Sequence, residues 1–219
     1  MLVKDNWKNA WASPDFRKHF IVTLSILVLM VAFIDHFFYY IQSRDGHPLR
    51  DVVLDWLPAD DVSNYIFASL YIGVIIAMGS ALRYPEALLT GLQAYGYLTL
   101  MRMCTLYFIP LEPHPAIVSL EDPFIGYLFY DKIEITKDLF FSGHVSTICL
   151  LVITAPGRNL RIFLILDTIL LAGLMLVQHA HYTVDILAAP LFAAFSVYLA
   201  GKRTQTVIPS AIGKESVNE

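Results

Sequence analysis

Charge is what this chain has least of. Only 16% of its 219 residues are Asp, Glu, Lys or Arg, against about 25% in soluble globular chains. With 57% hydrophobic residues, the depletion runs in the direction expected of a membrane protein. No basic run or patch accompanies the modest net charge of −4, which argues against a nucleic-acid partner. Cysteine is nearly absent. Cys104 and Cys149 both fall inside apolar segments, so they read as packing residues, not as a disulfide framework or a metal knuckle. No GxSxG elbow supports a serine nucleophile at Ser13, Ser142 or Ser146. Internal repeats and low-complexity stretches are missing as well. The charged N-terminus precedes no obvious small-residue cleavage site, and the first apolar run is too long for a signal-peptide core. That run is expected to be a retained span.

What is present is a series of long apolar runs. A spanning helix needs about 20 mostly apolar residues. Six runs approach that length, at roughly 20–42, 62–82, 86–109, 139–156, 160–178 and 181–200. The third is interrupted by Gly91, Gly96 and Arg102. The expected fold is therefore an all-α integral membrane bundle of six transmembrane helices. Residues 1–19 form a cytoplasmic or interfacial segment, 20–200 a six-span catalytic membrane domain, and 201–219 a flexible cytoplasmic tail. Trp7 and Trp11, with Lys4 and Lys8 nearby, fit either a short helix lying on the membrane surface or a frayed terminus.

Orientation follows from Lys and Arg in the connecting segments. With the N-terminus inside, the cytoplasmic side receives Lys4, Lys8, Arg17, Lys18, Arg83, Arg158, Arg161, Lys202, Arg203 and Lys214. The opposite side receives Arg44, Arg50, Lys132 and Lys137. Both termini are therefore expected in the cytoplasm. On that topology the fourth run begins at the exoplasmic face with Ser142, Gly143 and His144, in "DLFFSGHVSTICLL" (138–151). The sixth begins there too, with "HYTVD" (181–185). Two polar signatures thus share one membrane depth.

Ionisable groups inside spans are costly and usually face a protein interior or a watery cavity. His181 and Asp185, four residues apart, share a helix face. The carboxylate can accept a hydrogen bond from one imidazole nitrogen, which leaves the other free as nucleophile or base. His144 can then protonate a leaving oxygen and later act as base. Such a set suits phosphoryl transfer through a phosphohistidine. The competing reading is a satisfied buried polar cluster.

"DLFFSGHVST" together with "HAHYTVDILAA" resembles the paired motifs of the sphingomyelin synthase family, a branch of the type 2 phosphatidic acid phosphatase superfamily. "HPLRDVVLD" (47–55) resembles that family's loop after the first span, and "RMCTLYFIPLEP" (102–113) its third-span motif. The resemblance implies six spans and an exoplasmic site, whether lumenal, extracellular or periplasmic. It gives His181 as nucleophile, Asp185 as its orienting carboxylate and His144 as acid/base. Arg50 stands where the family loop has its second proline, and Thr136-Lys137 replaces the usual Cys-Gly before Asp138. The region upstream of His181, "LMLVQHA", lacks the arginine of the lipid phosphatase branch.

Arg102 near the outer end of the third run is a candidate phosphate contact, since guanidinium binds phosphate bidentately. A snorkelling arginine is the alternative. Ser142, either on phosphate or capping the helix, joins Gly143, Tyr182 and Asp138 as candidate substrate-binding residues. Asp35 and His36 either line the cavity or sit beside an aromatic belt. A zinc site from His144, His179, His181 and Asp185 is chemically conceivable but not favoured, and neither metal nor cofactor is expected. The outer loop mixes Glu112, Glu121, Asp122, Asp131 and Glu134 with Phe124, Tyr127, Phe129 and Tyr130. That mixture could hold a quaternary ammonium, or be an ordinary solvated loop.

The function implied is transfer of a phosphocholine or phosphoethanolamine head group from a phospholipid donor to a ceramide-like acceptor. A homo-oligomer is compatible with it. A lipid phosphatase or phospholipase C-like hydrolase would use the same triad with water as acceptor. A pseudoenzyme or a lipid-binding scaffold is the non-catalytic alternative. A transporter would place polar residues in both halves of the membrane, whereas here they cluster in the outer half.

Overall fold

A computed structural model describes residues 3–122 and 135–207. Eight helices are present among them: α1 (Val3–Ala12), α2 (Pro14–Gln42), α3 (Val52–Trp56), α4 (Ser63–Ala81), α5 (Pro85–Phe108), α6 (Gly143–Thr154), α7 (Arg158–Val177) and α8 (Thr183–Val207). The described residues hold no strand beyond an isolated bridge between His47 and Leu111. The described residues are all-helical, in line with the expected all-α class.

Prolines and caps set the boundaries. Pro14 and Pro85 open α2 and α5, where a missing N–H costs nothing. Ser13 caps α2 by accepting from Phe16 N, and Asp51 caps α3 by accepting from Val53 N and Leu54 N. Between α6 and α7, Pro156 follows the last helical turn, and Gly157 takes φ 98°, a conformation that favours glycine.

Among the described residues four helices are long and apolar enough to cross a membrane: Pro14–Gln42, Ser63–Ala81, Arg158–Val177 and Thr183–Lys202. The two remaining runs behave differently. The third forms α5, a 24-residue helix with Glu86 in its first turn and Arg102 within it. The fourth forms α6, only 12 residues, or about 18 Å against a hydrocarbon core of about 30 Å. Residues 135–142 enter α6 without helical structure, and Pro156 limits its other end.

The short helix is the centre of the bundle. Helices α4, α5, α7 and α8 all pack on α6, while α2 packs on α5 and hardly touches α4. Val145, Ser146, Ile148 and Leu150 of α6 are essentially inaccessible. By contrast, α2 exposes Val28, Leu29 and Val31 at about two-thirds of their surface, as a lipid-facing helix would. Asp35 and His36 lie on exposed positions of α2 and leave the cavity lining to Ile34 and Phe38. At one end of the bundle, Trp7 of α1 donates from Nε1 to Leu82 O at 2.7 Å, so α1 is docked on the α4–α5 turn. The other end holds the starts of α6 and α8.

Candidate active site

Both motifs sit where helices begin and the backbone is strained. Phe140 and Phe141 precede α6 at φ 63° and 40°, and His179 precedes α8 at φ 53°. Left-handed conformations in such residues cost on the order of 1–3 kcal/mol each and concentrate at functional sites. Phe141 is held by stacking on Phe192, with ring centroids 4.1 Å apart. Ser142 N donates to Asp185 O at 3.1 Å, which joins the start of α6 directly to α8.

Within this frame His181 Nδ1 lies 3.3 Å from Asp185 Oδ2, and both side chains are buried. The same oxygen accepts from Tyr182 N at 3.1 Å, so the carboxylate is oriented from two directions. With Nδ1 donating to Asp185, the lone pair on His181 Nε2 is free for attack. The His144 ring stands 6.5 Å from that of His181 and 5.8 Å from Phe67, edge-on in both cases. Its Nδ1 is buried without a hydrogen-bond partner among the described residues.

Arg102 reaches this site from α5. Nη2 pairs with Asp138 Oδ2 at 2.5 Å, and Nη1 donates to Phe141 O at 2.6 Å. The guanidinium is therefore fixed at the start of α6, beside the positive dipole end of its first turn. This is a setting for an anion. Arg102, Asp138, Gly143 and His144 all line one cavity of about 520 Å³, which continues between α2, α4, α5 and α6. Ser146 and Thr147 line it too, and their hydroxyls donate back to Gly143 O.

Not every candidate faces that space. Ser142 is fully buried and caps α6 by accepting from Val145 N. Tyr182 is buried in the wall, and its hydroxyl donates to Glu112 O at 2.9 Å. His181 and Asp185 stand behind His144, outside the cavity lining. His179 turns away from the triad: Nε2 lies 3.0 Å from Leu57 O, and Nδ1 is 3.3 Å from His114 Nδ1. Among the described residues no three His, Cys, Asp or Glu groups converge as a metal site would require. Of the outer-loop residues, Phe124, Tyr127, Phe129, Tyr130, Asp131 and Glu134 lie outside the described residues, so the quaternary-ammonium reading does too.

Two polar anchors have partners that the sequence does not signal. Asp51, in the loop resembling the family's first motif, accepts from Thr183 N at 2.6 Å and Thr183 Oγ1 at 2.9 Å. Burial works to raise its pKa, but these bonds and those from Leu54 and Val53 outweigh it, and the carboxyl is held below its ordinary value. Glu112 accepts from Lys137 Nζ at 2.8 Å and Gly46 N at 2.7 Å. The lysine bond leads in lowering its pKa, against a smaller opposing effect of burial. Asp51 lies in the motif-like loop 47–55, and Glu112 in the motif-like segment 102–113 and the acidic outer loop, but no spacing rule gave the partner of either.

The comparisons with known proteins fit this geometry. No curated protein matches the chain. Residues 137–202 match the family model described as PAP2 superfamily C-terminal, a stretch that contains His144, His181 and Asp185. In that stretch the chain is similar to the type 2 phosphatidic acid phosphatase superfamily, a likeness consistent with lipid phosphatase or phosphotransferase chemistry that leaves the branch open.

Proposed function

We propose that the protein is a six-span membrane enzyme, both termini cytoplasmic, that transfers a phospho-head group between lipids at the exoplasmic face. The observation that carries this reading is the arrangement of His144 and His181, with Asp185 behind His181 and the fixed Arg102 beside them. His181 Nε2 attacks the phosphorus of a phosphatidylcholine- or phosphatidylethanolamine-like donor. The bond from phosphorus to the glyceride oxygen breaks, and that oxygen takes a proton from His144. The hydroxyl of a ceramide-like lipid then gives its proton to His144. Its oxygen attacks the phosphohistidine, and the phosphorus–nitrogen bond breaks. Arg102 and the first turn of α6 offset charge on the phosphoryl oxygens. Beyond its polar end the cavity is walled mainly by apolar side chains, a setting that suits a lipid alcohol better than water as acceptor.

The test uses purified protein in liposomes holding a fluorescent ceramide and one candidate donor, with His181→Ala as control. A new phosphosphingolipid that vanishes in the variant supports the transferase and names its donor. Diacylglycerol with free phospho-head group and no sphingolipid product means a hydrolase. No product from folded protein sinks both.

A further inference from the structure

We infer that the cavity seats a single hydrocarbon chain of the reacting lipid, and that Gly91 sets how long that chain can be. The inference rests on the transferase reading for the chemistry at its polar end, and deepens it by naming the occupant of the apolar remainder. That polar end is Arg102, Asp138 and His144; at the far end the lining stops at Ala81, Ala87 and Thr154, near the α4–α5 and α6–α7 turns. From His144 to Thr154 the helix advances about 15 Å, and from Arg102 to Ala87 about 22 Å. An extended alkyl chain advances about 1.25 Å per carbon, given bonds of ~1.5 Å at a near-tetrahedral angle. The cavity thus matches a chain of roughly 12 to 17 carbons. Its volume gives the same answer: a cavity of about 520 Å³ holds roughly 17 methylene-sized units at the ~30 Å³ share of a water molecule. Two acyl chains side by side need twice that space. Because α2 packs on α5 and hardly touches α4, the cavity can open sideways to lipid between α2 and α4.

Gly91 belongs to the cavity wall, one helical turn from Ala87. A Cβ at Gly91 would meet no atom within 4 Å, so the residue is not small in order to let another helix come close. The space it leaves is cavity. A leucine there would project into the lower part, and it also favours the helix more than glycine does. One chain at a time has a kinetic corollary: the departing glyceride must leave before the acceptor's chain enters, as the phosphohistidine route requires.

The test has two arms on the full chain. In the first, alkylphosphocholines of about 8, 12 and 16 carbons are added in mixed micelles and read as shifts in melting temperature. Stabilisation of the parent chain should rise through the longest, while that of Gly91→Leu should level off at about 12 carbons. In the second, kcat/KM is compared for donors with long and short acyl chains. Losing contact with even two methylenes, at roughly fourfold each, should lower the long-to-short ratio by more than tenfold in Gly91→Leu. Gly79→Leu puts the same side chain on an exposed position of α4 and should leave the ratio unchanged. If Gly91→Leu fails to fold, Ala87→Leu makes the same measurement from the same wall. A chain-length preference identical in the parent and the cavity variants overturns the inference, even if the enzyme is active. The expected binding shift without turnover upholds the inference and overturns the transferase reading.

Discussion

Arg102 lies so close to Gly143 that a Cβ at position 143 would fall 2.6 Å from its Cζ and 2.7 Å from Nη1. Glycine is needed here for approach rather than for turn geometry, because the guanidinium occupies the place of a side chain. Gly143→Ala should fold, since the clashing atoms end a flexible side chain. The displaced guanidinium would lose its joint hold on Asp138 Oδ2 and Phe141 O. The expected result is a drop in kcat of about tenfold or more with melting within a few degrees of the parent. Each charge-assisted hydrogen bond disturbed is worth about 1.5–3 kcal/mol. Unchanged kcat would mean that the position of Arg102 does not matter to the reaction.

The pairing of His181 with Asp185 predicts a particular failure for Asp185→Asn. The same oxygen, Asp185 Oδ2, meets both Tyr182 N and His181 Nδ1, so an amide that keeps its oxygen there still accepts from Nδ1–H but no longer carries the charge that balances a cationic or phosphorylated imidazole. Loss of kcat by about tenfold or more is expected with a smaller change in KM, since a hydrogen bond to a charged group is worth about 1.5–3 kcal/mol. The yield of phosphoenzyme trapped by acid quench should fall in the same variant. Equal phosphoenzyme yields from the parent and Asp185→Asn would remove Asp185 from the orienting role.

Docking of α1 is testable without any substrate. Trp7 makes edge-on ring contacts with Phe16 and Phe20 and a hydrogen bond to Leu82 O. Trp7→Phe should keep the ring packing and cost about 1 kcal/mol through the lost hydrogen bond. Trp7→Ala should cost a further ~2 kcal/mol or more, because the aromatic contact goes as well. Thermal melting of both variants in one detergent distinguishes a docked helix from a frayed one, for which neither change would matter.

The apolar runs and the polar residues set into them were legible because both are local. Span boundaries near α4, α5 and α7 follow from hydrophobic runs ended by Pro, Gly or charge. The His181–Asp185 pair was expected on one helix face; the two do meet, but His181 lies two residues before α8 begins and reaches Asp185 across the helix start. The length of α6 was not legible. An apolar run counts buried residues as readily as spanning ones, and Leu139, Phe140 and Phe141 are apolar without being helical. Arg102 could be placed near the site, but its carboxylate partner lies on a different segment, and no spacing rule pairs Arg102 with Asp138. Asp51 shows the same limit: its contact with Thr183 joins a loop to a helix start across most of the chain.

That last contact gives a prediction with a pH signature. Asp51 accepts four hydrogen bonds, from Val53 N, Leu54 N, Thr183 N and Thr183 Oγ1, and thereby ties the loop after α2 to the start of α8. Its pKa is lowered in the folded protein, so the folded state holds its proton less tightly than the unfolded state. The stability this group contributes is therefore fully present above the unfolded carboxyl value of about 3.9, and is lost as pH falls through the lower folded value. Asp51→Asn keeps the size but gives up the charge and half the acceptor capacity. It should cost about 1–3 kcal/mol at neutral pH. Below about pH 4 the gap between the variant and the parent should narrow, because the parent then loses the same charge. Since Thr183 lies two residues from His181, some activity should fall with it. Melting curves from pH 3 to 7 in detergent read the first effect directly, and a gap that stays constant across that range would show that the carboxylate charge of Asp51 does not hold this joint.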